Sequence, residues 1–287
     1  MALGWWGWRK AKWRLAWTRG RSASHISRRV WRNQQSPKAF VVTAGAYSRL
    51  AEYWHDLAVA FVPHYGRFLA DAANRFDTPI RSVLDVACGS GLLSGEIGSH
   101  VDRVVGIDSS DAMIARARRE HPQPKFRFEV ADFRQIALEE TFDAAVCGSD
   151  SLNYVTSRAE LTEVFRSVGN SLRPGGLFVF DVLNERAFRV MNQVTVEYTI
   201  GASGLQQHFF YDPATRVAEC FVTFADGTTE AHRRRPLENS DVQAAAGLAG
   251  LEAVESFSGA GLLGLSGMAS RVYWVLRKPS SAIPAGG

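Results

Sequence analysis

From Ser82 onward, short apolar runs alternate along the chain with stretches whose apolar residues recur every three or four positions. The runs RSVLDVA, RVVGID, KFRFEVA, FDAAVCG and GLFVFDV read as buried strands. Between them LLSGEIGSH, DAMIARARREH and RAELTEVFRSVGNSL carry helical periodicity, the last closed by the stop signal RPGG. Apolar strands that alternate with helices imply a mostly parallel sheet covered on both faces, an α/β doubly wound fold. After Val182 the alternation stops. VTVEYTI, LQQHFFYD and AECFVTFADGTTEAHRRR predict antiparallel strands joined by turns at DPATR and ADGTT. A weak helix over 240–249, then LEAVESF and SRVYWVLRKP, would bring the main sheet to seven strands.

Upstream of the sheet, Leu50, Tyr53, Leu57 and Phe61 share one helical face. Pro63 breaks the pattern before Tyr65, Phe68, Leu69 and Ala72 resume it. The spacing predicts two helices, which form an N-terminal helical lid over the sheet. The expected organisation is a leader over 1–40, a lid over 44–80 and a core over 81–182. An antiparallel β insertion comes next over 183–238, then the end of the core sheet over 239–278 and a tail over 279–287.

Charge singles out the leader. No acidic residue precedes Glu52, while eleven of the 33 Lys and Arg do, which leaves 22 basic against 29 acidic residues and a body of about −7. The leader also holds six of the eight tryptophans. Trp6, Trp13 and Trp17 would share a helical face, as on an interfacial membrane helix. The same acid-free, Arg-rich composition fits an organelle transit peptide, a nucleic-acid-binding arm or a mobile tail. No apolar run is long enough to span a bilayer. Cys88, Cys147 and Cys220 are too scattered for a disulfide framework or a zinc site. A reducing, cytoplasmic setting is expected, with organelle targeting or peripheral membrane attachment as the alternatives that the leader leaves open.

The chemistry gathers around SVLDVACGSGLLSGEIG, Ser82–Gly98. Gly89 and Gly91 come directly after the first core strand, where an open parallel sheet holds its ligands. Glycine there lets backbone N–H groups approach a ligand closely. Asp108, at the end of the next strand, can accept both hydroxyls of a ribose, which makes an adenosine-type pocket. The dinucleotide signature G-x-G-x-x-G fails, because Ser94 stands where its third glycine belongs. The segment reads instead D-x-A-x-G-x-G, from Asp85 through Ala87.

This pattern resembles the first motif of the class I S-adenosylmethionine-dependent methyltransferases, and further segments resemble the family's later motifs in order. GIDSSDAMI is similar to the second-strand motif, which implies Asp108 on the ribose, Ser109 beside it and Met113 against the adenine. VADF is similar to the third, implying Asp132 near the adenine amino group and Phe133 on the ring. FDAAVCGSDSLNYV resembles the fourth strand and the segment beneath the methyl group, with Gly148 at the cofactor. SLRPGGLFVFDV resembles the fifth-strand turn. The set is most similar to glycine and aminosugar N-methyltransferases, and implies a Rossmann-like methyltransferase fold with S-adenosyl-L-methionine as cofactor. In that family an insertion after the fifth strand covers a small-molecule acceptor. A lid tyrosine touches the cofactor carboxylate, here Tyr47.

Methyl transfer needs an unprotonated, aligned nucleophile, so positioning can supply most of the catalysis. Asp150, Asn153 and Tyr47 are the expected catalytic residues, Asp150 to orient or deprotonate an amine. Tyr154, His232 and Arg235 are the expected acceptor contacts, the last two suited to an anionic group. No metal is expected. Three rival readings stand beside N-methylation. One is an RNA or protein methyltransferase gripping through residues 1–35. Another is an O-methyltransferase, with Asp150, Asp181 and Asn184 as the ligands of a metal-dependent version. The third is a non-catalytic protein that binds the cofactor.

Overall fold

The computed structural model describes residues 26–32, 35–58, 65–200, 202–259 and 271–280. In chain order the elements are β1 (Ile26–Arg32), α1 (Leu50–Ala58), α2 (Tyr65–Arg75), β2 (Ser82–Val86), α3 (Leu92–Gly98), β3 (Arg103–Asp108), α4 (Asp111–Glu120), β4 (Phe126–Val130) and β5 (Phe142–Cys147). Next come α5 (Arg158–Ser171), β6 (Leu172–Leu183), α6 (Glu185–Met191), β7 (Val194–Ile200), β8 (Ser203–Asp212), β9 (Val217–Phe224) and β10 (Thr229–Arg234). The chain closes with α7 (Asn239–Leu248), β11 (Glu252–Gly259) and β12 (Arg271–Arg277).

Seven strands form the main sheet in the order β11-β12-β6-β5-β2-β3-β4. β2 runs parallel to both β3 and β5, and β12 enters antiparallel to β6. The chain moves outward from β2 through β3 to β4, then returns to the other side of β2 at β5. That reversal opens a crevice beyond the carboxyl ends of β2 and β5, where ligands of such sheets bind. Successive strand residues point to opposite faces. Leu84 and Val86 therefore join Phe165, Phe178 and Trp274 in one core layer, while Val83 joins Leu69, Leu93 and Val146 in the other.

A second sheet, β1-β7-β8-β9-β10, is antiparallel throughout, and its turns at 213–216 and 225–228 fall on the segments that the sequence marks. Its core holds Val196, Tyr198, Phe209 and Val222, together with Leu50 and Leu57 of α1. The expected lid over 44–80 therefore divides. α1 lies against the second sheet, whereas Tyr65, Leu69 and Ala72 of α2 pack into the main sheet's core.

The expected leader over 1–40 needs a correction. Residues 26–32 pair with β7 along its whole length, Ile26 opposite Ile200 and Arg32 opposite Val194. Ser36 caps a helical turn at Pro37–Ala39, and Phe40 stacks on Phe221 with ring centroids 4.8 Å apart. ISRRVWR reads as polar because it forms an edge strand, where charged side chains are tolerated. The helix proposed for Trp6, Trp13 and Trp17 lies outside the described residues. Among the described residues no helix is long and apolar enough to cross a membrane.

Candidate active site

The glycine loop leaves β2 through alternating left-handed residues, Ala87 (φ 56°), Gly89 (φ 54°) and Gly91 (φ 80°). The two glycines serve different ends. A Cβ on Gly91 would come within 2.9 Å of His121 and 3.2 Å of Ala117 and Phe128, so this glycine lets α3 pack against α4 and β4. A Cβ on Gly89 would point toward the lid, 3.2 Å from Trp54 Nε1 and 3.8 Å from Met113 Sδ. Met113 is buried beneath this loop. Asp108 fastens the loop, accepting from the backbone N–H of Gly89 and of Ser110, each at 2.9 Å. Burial raises its carboxyl above the usual range, against those two hydrogen bonds.

Asp85 lies under the loop. Its Oδ2 accepts from Ser94 Oγ at 2.6 Å, while its buried Oδ1 has no hydrogen-bond partner among the described residues. Burial pushes its carboxyl up to about 7. In the unfolded chain the same group titrates near pH ~3.9, so the folded state binds the proton more tightly. That stabilisation is complete below about pH 4 and is lost as pH rises through 7, with a slope of up to about 1.4 kcal/mol per pH unit. Asp85→Asn should flatten urea-unfolding stability across this window. An unchanged slope would show that Asp85 is not the group responsible.

The remaining expected cofactor contacts are less uniform. Ser109 is exposed beside Asp108. Asp132 is held by Arg134, whose backbone N–H and Nε reach its Oδ1 at 2.9 and 2.8 Å, and Arg134 continues to Glu160 at 2.6 Å. Phe133 packs against the main core. A Cβ on Gly148 would sit 3.0 Å from Leu93 and 3.3 Å from Tyr65, so its smallness serves packing.

Beyond the loop, a cavity of about 730 Å³ of empty space, mouth included, opens between α1, residues 149–154 and the second sheet. Tyr47, Trp54, Leu57, Tyr198, Phe209, Cys220, His232 and Arg234 are among the residues lining it. Asp150 also lines it, with Oδ2 2.7 Å from Arg234 Nη1 and Oδ1 2.7 Å from Arg271 Nη2. Arg271 bonds Asp181 as well, and Asp181 accepts from the Asp150 N–H at 3.0 Å. Two carboxyl groups and two guanidiniums thus share one interior cluster, in which burial raises the Asp181 carboxyl to about 8. Burial is the largest influence on Arg234 and opposes its charge, but Asp150 together with the neighbouring Tyr154, Cys220 and Tyr47 outweighs it and keeps the guanidinium charged. Asp150 anchors both guanidiniums, each of its oxygens accepting from one of them.

Asn153 is likewise structural. It is fully buried, donates to the carbonyls of Leu183 (2.8 Å) and Arg235 (2.7 Å), and accepts from the Leu183 N–H (2.8 Å). It clamps the loop after β5 to the end of β6, with no polar atom left for a substrate. Asn184, a metal ligand in the O-methyltransferase reading, caps α6 through the Ala187 N–H. The cavity thiol of Cys220 is pushed by burial up to about 12, and burial likewise raises Cys88 and Cys147, so these thiols stay protonated.

Tyr47, Tyr154 and His232 come together at the cavity wall. Tyr47 Oη lies 2.9 Å from Tyr154 Oη, which lies 3.0 Å from His232 Nδ1. Burial raises both phenols, Tyr154 to about 12, so they remain hydroxyls. Burial also lowers His232, leaving a neutral imidazole.

The arginine assignment moves by one residue. Strand alternation turns His232 and Arg234 into the cavity lining, and sends Arg233 outward to Glu219 at 3.1 Å. Arg235 lies just past the strand and donates to the Thr156 carbonyl at 3.0 Å, away from the cavity lining. Arg235→Ala should therefore leave the acceptor KM within about twofold of wild type, under ~0.5 kcal/mol. A large rise in KM would restore Arg235 as an acceptor contact.

Two contributors were not read from the sequence. Trp54 reaches Gly89 only through the docking of α1. Glu230, completely buried, accepts from the N–H of Tyr47 (3.0 Å), Arg49 and Leu50 (3.1 Å) and from Ser48 Oγ (2.9 Å). A carboxylate from β10 thereby caps the start of α1. Burial works against this charge, but the His232 contact and the helix amides hold Glu230 below the ordinary glutamate range.

The main sheet is Rossmann-like, with the glycine loop at the carboxyl end of β2. Residues 83–176 match the family model described as a methyltransferase domain. The chain is 38% identical over 103 residues to a putative methyltransferase, YqeM, of Bacillus subtilis (strain 168), across 35% of this chain and 41% of that protein. It is 33% identical over 101 residues to the dTDP-4-amino-2,3,4,6-tetradeoxy-D-glucose N,N-dimethyltransferase of Saccharopolyspora spinosa, across 35% of this chain and 40% of that one. These alignments span less than half of the two relatives. A solved S-adenosylmethionine-dependent methyltransferase from Clostridium acetobutylicum ATCC 824 superposes with TM-score 0.69 at 19% identity, covering 82% of this chain and 100% of that one. The chain thus has the fold of that S-adenosylmethionine-dependent methyltransferase, and its residues 83–176 match a methyltransferase domain model.

Proposed function

We propose that this protein methylates the nitrogen of a small-molecule amine with S-adenosyl-L-methionine as donor. The observation that carries the reading is the partly aromatic cavity, open at its mouth and reached from the glycine loop through Trp54, its ionic groups paired with one another. The loop fits the donor. Gly89 has no Cβ to fill the space under Trp54, Asp108 presents a carboxylate at the end of β3, and the orphaned Asp85 Oδ1 can receive a cationic group. When bound, S-adenosylmethionine supplies an activated methyl on a sulfonium.

The chain's own residues then have a modest task. Trp54 and Leu57 exclude water, and the tyrosine pair faces the cavity as hydroxyls. With Asp150 held between two arginines, no unpaired carboxylate stands among the described lining residues to strip a proton from an alcohol. An amine in its neutral form needs no strong base, and its orientation supplies the rate. Relatives named as aminosugar N,N-dimethyltransferases support the same acceptor class.

The test is S-adenosylhomocysteine release from purified full-length protein given dTDP-4-amino-2,3,4,6-tetradeoxy-D-glucose, alongside simple amines and their hydroxyl counterparts. Turnover confined to amines supports the reading. Turnover confined to hydroxyl compounds would replace it with O-methylation.

A further inference from the structure

The chain Glu230–His232–Tyr154–Tyr47 crosses the cavity wall from the second sheet to the entrance of the lid. Its direction can be deduced. Glu230 accepts several backbone and side-chain donors, as only a carboxylate can, so it presents acceptors alone. His232 Nε2 faces Glu230 Oε2 at 3.3 Å, a charge contact outside hydrogen-bond geometry, and makes no hydrogen bond among the described residues. A lone pair on Nε2 would face a carboxylate oxygen there, so Nε2 carries the proton. The neutral ring then offers a lone pair at Nδ1, and Tyr154 must donate to it across 3.0 Å. With its one proton spent, Tyr154 Oη can only accept, so Tyr47 donates to it across 2.9 Å. Tyr47 Oη is left with lone pairs and no proton to offer the cavity.

We propose that Glu230 and His232 are positioning residues that fix the polarity of this hydrogen-bond chain, so that Tyr47 Oη accepts an N–H of the acceptor amine. This rests on the amine reading of the site. An amine that donates N–H to Tyr47 keeps its own lone pair free to attack the methyl. The opposite polarity would have Tyr47 donate into that lone pair and quench the nucleophile. Protonation of His232 places hydrogens on both ring nitrogens, turns Nδ1 into a donor and reverses the chain. The groups facing His232 are Glu230 and Arg234 on its own strand, Cys220 across the ladder on β9, Tyr154 and Asp150 from the loop after β5, and Tyr47 from the lid entrance. Its burial keeps the ring neutral near pH 7, so the working polarity holds there and fails in acid.

Nitrogen NMR of full-length protein labelled at its seven histidines reads the tautomer directly, with His232 identified as the resonance lost in His232→Gln. At pH 7.5, Nε2 should be protonated and Nδ1 bare. In Tyr154→Phe, Nδ1 should shift toward the value of a bare nitrogen without a donor, while Nε2 stays protonated. An Nδ1-protonated ring, or an Nδ1 signal unmoved in Tyr154→Phe, would overturn the proposal. With dTDP-4-amino-2,3,4,6-tetradeoxy-D-glucose as substrate, Tyr154→Phe should lower kcat about tenfold, ~1.4 kcal/mol, at nearly constant KM. A wild-type kcat would overturn it too. Absence of turnover with any amine counts against the amine reading and the orienting role together, whereas the tautomer result separates a wrong polarity from a wrong substrate.

Discussion

Asp108→Ala should cost the protein its affinity for S-adenosylmethionine, by about 100-fold or ~2.7 kcal/mol in a calorimetric titration. Two effects add. The carboxylate lost is the one expected to take the ribose hydroxyls, and it also fastens the Gly89 and Ser110 amides at the mouth of the crevice. Removing a charged acceptor is worth about 1.5–3 kcal/mol per hydrogen bond. Wild-type affinity in the mutant would mean that the donor binds elsewhere than at the carboxyl ends of β2 and β3.

Asp150→Ala should act chiefly on stability. Arg234 and Arg271 would be left in the interior with Asp181 as the one remaining carboxylate of the cluster, and breaking such a buried pair costs about 3–5 kcal/mol. Urea unfolding of the single mutant and of Asp150→Ala/Arg234→Met should show the second change recovering part of that loss, because it removes the stranded charge. A lone effect on kcat with unchanged stability would return Asp150 to the role of catalytic base.

The contrast between these residues marks how far the sequence could be read. Apolar runs located the strands of the main sheet most plainly at β2, β5 and β6, which are buried on both faces and leave no polar alternation to confuse them. The glycine loop and Asp108 were legible because their spacing is local. Asp150 was not, for the guanidiniums that occupy it come from β10 and β12, more than 80 residues along the chain. In HRRR the alternation of a strand was visible but its phase was not, and an error of one residue exchanged Arg234 for Arg235. β1 was hidden by its own exposure, an edge strand with arginines where a core strand would be apolar. The helix α6, only seven residues long, carried too little periodicity to announce itself.

The cap that Glu230 places on α1 bears on exchange of parts between related proteins. The cover of the cavity and the helix that closes it are distant in sequence yet share one carboxylate, so they form a single heritable module. A chimera that imports residues 194–234 alone would leave the amides of Arg49 and Leu50 unanswered unless the incoming strand brought its own acid at position 230. Transplanting acceptor specificity therefore calls for carrying residues 43–58 together with the cover, with the nucleotide-binding centre left in place.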